Sequence, residues 1–265
     1  MTTPKTVSIV TVTQYSRFEN LKILYEIIEN QDYPFIKEWI IVEGSQTPAL
    51  QTQNADNIRK GLSKRDIENA DTQNTTQNTT KNFFAIHTIV PHNIVPLSNL
   101  RNIGNDHCSG DIIVCMDDDD YYPPTRVSHA VSMLSKYNRS IAGCSKIYMY
   151  DFYLQKLYKF RGFHNNHSTN NCLAYKKEYL TNHRYKEGLS MSEEYHFTNG
   201  FTEPMIQLTP EKCVIMSSHT QNTVDKSPFV ANHEYVMEIN IDIYNMVPKE
   251  IFDKMMGLFT LRKMA

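Results

Sequence analysis

Apolar residues are grouped into short β-branched runs separated by stretches with helical spacing. Val7-Ser-Ile-Val-Thr-Val-Thr13 reads as a buried first strand. A polar break, Gln14 to Asn20, follows, and then Leu21, Leu24, Ile27 and Ile28 recur at helical spacing up to Asp32-Tyr33-Pro34. Trp39 to Val42 predicts a second buried strand, closed by Glu43-Gly44-Ser45. A strand, a helix and a strand in this order start a parallel, right-handed α/β sheet. Asn82 to Val90 reads as a third strand, and Leu97, Leu100 and Ile103 mark a helix ending near Ser109-Gly110, with the glycine at its stop. The apolar run Ile112 to Met116 is the next strand, and Pro123-Pro124-Thr125 opens a helix carrying Val127, Val131 and Leu134.

The texture changes twice. Residues 46–81 are rich in Gln, Asn and Thr, with Thr-Gln-Asn recurring at 52, 72 and 76. They predict a polar excursion with one short helix around Asp56 to Lys64 and loop or disorder elsewhere, a tolerated insertion without function. Beyond residue 125 the pattern is mixed. Ile141 to Tyr150 and Phe152 to Phe160 read as a hairpin about Asp151, with strands near Cys172 to Tyr175 and Cys213 to Met216 and a helix around Ser192 to Thr198. The last twenty residues form an amphipathic helix (Ile251, Met255, Leu258, Leu261), able to pack on its own domain or on a second subunit. The expected fold class is α/β, one domain over 1–265: a mostly parallel sheet flanked by helices over 1–125, then an α+β half over 126–265.

Composition adds exclusions. The chain has 265 residues, 40% hydrophobic and 21% charged, with a net charge of −2. That gives no global attraction to nucleic acid or anionic membrane. No apolar stretch is long enough to span a bilayer, and Met1 to Lys5 carries no signal-peptide core. Five scattered cysteines without a CxxC pair indicate free thiols and a reducing, cytoplasmic setting.

Candidate chemistry centres on Asp117 to Asp120. An acidic run is ordinarily a solvated loop. This one directly follows a buried strand, at the end where open α/β sheets bind ligands. Four carboxylates there call for a cation, most simply a divalent metal with oxygen ligands. The run holds two D-x-D registers, Asp117/Asp119 and Asp118/Asp120, of which the first is preferred because Asp120 leads into the turn. Thr11, Thr13 and Glu43 end the first two strands and could take a base or ribose, or merely shape a turn. Arg101 could face a diphosphate or make a surface ion pair. Glu193 and Glu194 suit a helix start, or one of them a general base. His219 could ligate a metal and Lys226 neutralise a phosphate, though a lone histidine is more often structural. His164 and His167 could line an acceptor pocket.

In order, "VSIVTVTQYSR", "EWIIVEGS", "NLRNIGNDHCSGDIIVCMDDDDYYPP", "SEEYHFTNGF" and "SSHTQNTVDK" resemble the GT-A nucleotide-sugar glycosyltransferases of the family 2 type. The Asn/Lys/Ile/Tyr-rich wording is similar to versions in large DNA viruses. The resemblance implies a Rossmann-like GT-A fold and a metal-dependent transfer of sugar, with inversion, from a nucleoside diphosphate to a glycan or other hydroxyl acceptor. UDP is the favoured nucleotide, although Glu43 replaces the family's usual Asp. It implies Thr11, Thr13, Arg17, Glu43, Arg101, Asp117, Asp118 and Lys226 on the donor side. Mn²⁺ or Mg²⁺ would be held by Asp119, Asp117 and His219, and Glu194, or Glu193, would be the base. Two other functions stay open. A sugar nucleotidyltransferase would need a Gly-rich basic loop near the first strand, which Thr13 to Arg17 lacks. A non-catalytic carbohydrate-binding protein would keep a decayed site.

Overall fold

The computed structural model describes residues 3–71, 84–222, 226, 228 and 234–261. Strand β1 (Val7–Thr13) is followed by a 3-10 turn, Tyr15–Arg17, and helix α1 (Phe18–Glu29). Next come β2 (Ile36–Glu43), α2 (Pro48–Asp71), β3 (Ala85–Ile89), α3 (Leu97–His107) and β4 (Ile112–Cys115). The four strands pair in parallel in the order β3-β2-β1-β4. Because side chains alternate along a strand, Val7 and Ile9 pack with Leu21, Leu24 and Ile28 of α1, while Val10 packs with Leu100 of α3. Helices therefore cover both faces, which is why these strands read as continuous apolar runs. The chain leaves β1 toward β2 and β3, then returns to β4 on the other side of β1. That reversal opens a crevice above the C-terminal ends of β1 and β4, the usual ligand position in open α/β sheets.

After β4 come α4 (Arg126–Lys136), β5 (Ile141–Gly143), β6 (Tyr148–Asp151), β7 (Lys156–Phe160) and β8 (Ala174–Lys176). The chain continues through α5 (Glu193–Phe197), β9 (Ile206–Gln207), β10 (Ile215–Ser218), β11 (Val236–Ile239) and α6 (Lys249–Leu261). Strand β8 runs antiparallel between β4 and β5, extending the main sheet to seven strands. A second sheet has the order β10-β6-β7-β11. It is tied to the acidic run through the bridge between Tyr121 and Ile215.

Several expectations need correction. The excursion begins with a helix of 24 residues, much longer than the one expected over 56–64; the "TQN" repeats at 72 and 76 lie outside the described residues. Gln51, Asn54, Ala55, Ile58 and Leu62 are buried on its inner face. That narrow, amide-rich stripe has helical spacing but little hydrophobic contrast, so composition hid it. The expected strand over 141–150 is two strands in different sheets, and only β6 and β7 form the hairpin. Gly110 is not the left-handed stop of α3, which ends in extended backbone at Cys108. It is a site of close approach, where an added Cβ would lie 2.6 Å from the Ser8 nitrogen. Helix α6 packs within its own chain: Ile251, Phe252, Met255 and Phe259 join the main core.

Candidate active site

Each aspartate of the run after β4 has its own partners. Asp117 Oδ1 pairs with Arg101 Nη1 at 3.2 Å. Asp118 accepts from Thr13 Oγ1 at 2.7 Å and Arg17 Nη1 at 2.8 Å. Asp119 Oδ2 accepts from Arg17 Nη1 at 2.9 Å and Asn222 Nδ2 at 3.1 Å, and lies 3.2 Å from His219 Nε2. Asp120 accepts from Asn171 Nδ2 at 2.6 Å and from the Ser217 N–H at 2.8 Å. Asp120 therefore fastens the run to β10, a supporting role.

Burial and partners set the charges. Burial pushes the Asp118 and Asp120 carboxyls up, and the charge of Asp119 adds to both. Burial would raise Asp119 too, but Arg17, His219 and Lys226 outweigh it and hold it well below the ordinary carboxylate range. Burial lowers His219, against the pull of Asp119. Its ring stacks on Phe259 of α6, with centroids 3.9 Å apart and planes within 6°. The C-terminal helix thus fixes the orientation of a residue at the acidic crevice.

Arg101 projects from α3 and is 8% exposed. Its Nε donates to Glu193 Oε1 at 2.6 Å, so one guanidinium joins Asp117 to α5. The two glutamates differ. Glu193 is 3% exposed and committed to Arg101, while Glu194 is half-buried. Burial, with the neighbouring Glu193 charge, pushes Glu194 up to about 7. The helix bearing them is framed by strained backbone: Ser192 (φ 54°), Asn199 (φ 49°) and Phe201 (φ 59°) are left-handed without being glycine. Such strain clusters at functional sites.

Other candidates sit less freely. Thr11 is fully buried and its Oγ1 accepts from Trp39 Nε1 at 2.9 Å, so it faces the core one strand step below Thr13. Glu43 is fully buried as well. It accepts from the N–H and hydroxyl of Ser45 and from Asn54 Nδ2 of α2 at 3.0 Å. It shapes the β2 crest, where an added Cβ on Gly44 would lie 2.5 Å from Leu100 Cδ1. Lys226 Nζ donates to the Ser217 carbonyl at 2.5 Å. His164 and His167 form a ring cluster with Phe163 and Phe201. Asn222 and Phe259 were missed by sequence reasoning; an amide in a polar stretch and a core aromatic carry no distinguishing signal.

For a divalent ion, the carboxylate of Asp119 and the imidazole of His219 are suitable and adjacent donors. Among the described residues no three His, Cys, Asp or Glu gather into a ligand group. Two protein ligands suffice for an ion that also takes waters and substrate phosphates. A cavity of about 800 Å³ lies at the other end of the strands, lined by Lys5, Tyr33, Asp111 and Lys176, away from the aspartates.

Three comparisons bear on this arrangement. Residues 67–184 match the family Glycosyl transferase family 2, with β4, the acidic run and Arg101 inside the match. The fold is that of solved GT-A-like glycosyltransferase structures. S. aureus TarS 1–349 in complex with UDP-GlcNAc aligns with a TM-score of 0.54 at 12% identity, covering 85% of this chain and 64% of that one. The mannosyltransferase PcManGT from Pyrobaculum calidifontis, in complex with GDP-Man and Mn²⁺, aligns with a TM-score of 0.56 at 14% identity, covering 83% and 59%. A second structure of S. aureus TarS 1–349 gives 0.52 at 13% identity, covering 80% and 60%. The chain thus spans about 60% of the length of these proteins. A search of curated proteins found no match.

Proposed function

We propose that this protein transfers a sugar from a nucleoside-diphosphate donor, UDP favoured, to an acceptor hydroxyl with inversion at the anomeric carbon. The observation that carries the reading is the acidic run at the C-terminal end of β4, joined by Arg101 to the glutamate pair on α5. That link ties Asp117, proposed for the donor side, to Glu193, the neighbour of the proposed base Glu194. A divalent cation, Mn²⁺ or Mg²⁺, held by Asp119 and His219 would supply Lewis-acid neutralisation of the diphosphate.

The chain's own residues do the rest. Thr13 and Asp118 form the nucleotide side of the crevice, with Asp117 toward the ribose or sugar. Arg101 holds both Asp117 and Glu193 in place. Glu194 takes the proton of the acceptor hydroxyl; that oxygen bonds to the anomeric carbon as the bond to the diphosphate oxygen breaks. Arg17 and Lys226 add positive charge near the departing diphosphate. Thr11 and Glu43 contribute by shaping the strand ends.

A calorimetric panel of nucleoside di- and triphosphates with and without Mn²⁺ tests the reading. Diphosphate binding that needs Mn²⁺ and vanishes in Asp119→Ala is expected. Tighter binding of a triphosphate, or no nucleotide binding, would overturn it.

A further inference from the structure

Arg17 already stands where a cation is needed. Its Nη1 bridges Asp118 Oδ1 and Asp119 Oδ2 at 2.8 and 2.9 Å, and its Nη2 donates to the Gln221 carbonyl at 2.8 Å. The side chain is 11% exposed, and its Nε is buried without a hydrogen-bond partner. The Asp119 oxygen that it uses is the one facing His219 Nε2. A divalent ion held by Asp119 and His219 would meet the guanidinium at that atom. Two cations sharing one poorly solvated oxygen repel each other.

We propose that Arg17 is the resident counter-cation of the acidic run and couples binding of a divalent cation to binding of a nucleoside diphosphate. The inference rests on the transferase reading and adds a positioning role for Arg17. In the free protein the guanidinium neutralises Asp118 and Asp119 and weakens their hold on an added cation. A diphosphate offers Arg17 a new acceptor of bidentate geometry. Drawn to it, the guanidinium releases Asp119 Oδ2. The location allows this shift, since Arg17 ends a short 3-10 turn and, among the described residues, its other side-chain hydrogen bond goes to one main-chain oxygen in the turn after His219. Each ligand then binds better in the presence of the other, by the same factor.

The test measures Mn²⁺ affinity by electron paramagnetic resonance, alone and with saturating UDP or GDP, in the wild type, Arg17→Gln, Arg17→Lys and Asp119→Asn. In the wild type, nucleotide should tighten Mn²⁺ binding by roughly 5- to 150-fold, the usual range of coupling between sites. Arg17→Gln should bind Mn²⁺ alone more tightly, by at least the lower end of that range, with the coupling reduced by the same factor to what direct contact between cation and diphosphate supplies. Arg17→Lys, which keeps a point charge, should retain part of it. A merely structural Arg17 would lower affinity or stability without reducing the coupling. Wild-type protein showing no coupling overturns the proposal whether or not Arg17→Gln folds, as does an Arg17→Gln protein that binds Mn²⁺ like the wild type. Mn²⁺ binding that Asp119→Asn leaves unchanged, or no Mn²⁺ binding by any of the four, overturns the metal reading itself.

Discussion

Glu194 and Glu193 are neighbours with the same side chain, separated by what each touches. Glu193 is locked to Arg101, whereas Glu194 carries a carboxyl pushed up to about 7 by burial and by Glu193. A base must be deprotonated to act, so transfer rate should climb with pH through about 7 and level off above it. Glu194→Gln should lower the rate by roughly 10²- to 10⁴-fold, remove that rise and leave nucleotide binding intact. The same group predicts the opposite trend in stability. The folded protein holds this proton more tightly than the unfolded chain, so the Glu194 contribution declines as pH rises from the ordinary 4.5 to about 7. Denaturation midpoints of the wild type should therefore fall across that window relative to Glu194→Gln. The existence of this pair was legible in the sequence; the choice between its members was not, because it depends on an arginine 92 positions away in sequence.

At the scale of elements, the strands and helices that hold the crevice were readable because burial on both sides leaves unbroken apolar runs. What escaped was side-chain direction and polar packing. Thr11 and Thr13 lie on one strand face, yet only Thr13 reaches an aspartate, because Trp39 of β2 takes the Thr11 hydroxyl. No single-strand pattern encodes that. The break between β5 and β6 was missed too, since both halves are apolar; its marks are Gly143 at the end of β5 and the polar pair Ser145-Lys146. Helix α6 joins stability to the site: Phe259 is buried and stacks on His219. Phe259→Ala should cost about 3–5 kcal/mol in urea unfolding, the range for removing a buried aromatic. In Phe259→Leu, which keeps most of the apolar volume, Mn²⁺ affinity should weaken because the imidazole loses its stacking partner.

Across the whole molecule, the C-terminal ends of β1, β2 and β4 gather on one side of the main sheet, and the second sheet reaches the same crevice through Ser217 and, just past β10, His219. No described helix is long and apolar enough to cross a membrane. Because donor and cation would bind parts contributed by both sheets, they should stabilise the entire fold. By mass action, ligand at 100 times its dissociation constant raises the unfolding free energy by about 2.7 kcal/mol. At that ratio, nucleoside diphosphate with Mn²⁺ should therefore raise the wild-type unfolding free energy measured in urea by that amount and leave that of Asp119→Ala unchanged.

The hydrogen bond from Asn54 to Glu43 means that the amide-rich stretch cannot be pruned like a surface loop. Shortening it to a tight connection between β2 and β3 would strip a fully buried carboxylate of one of its donors and uncover Ile58 and Leu62. A protein engineer seeking a minimal version of this chain would have to recast Glu43 and the inner face of α2 in the same design.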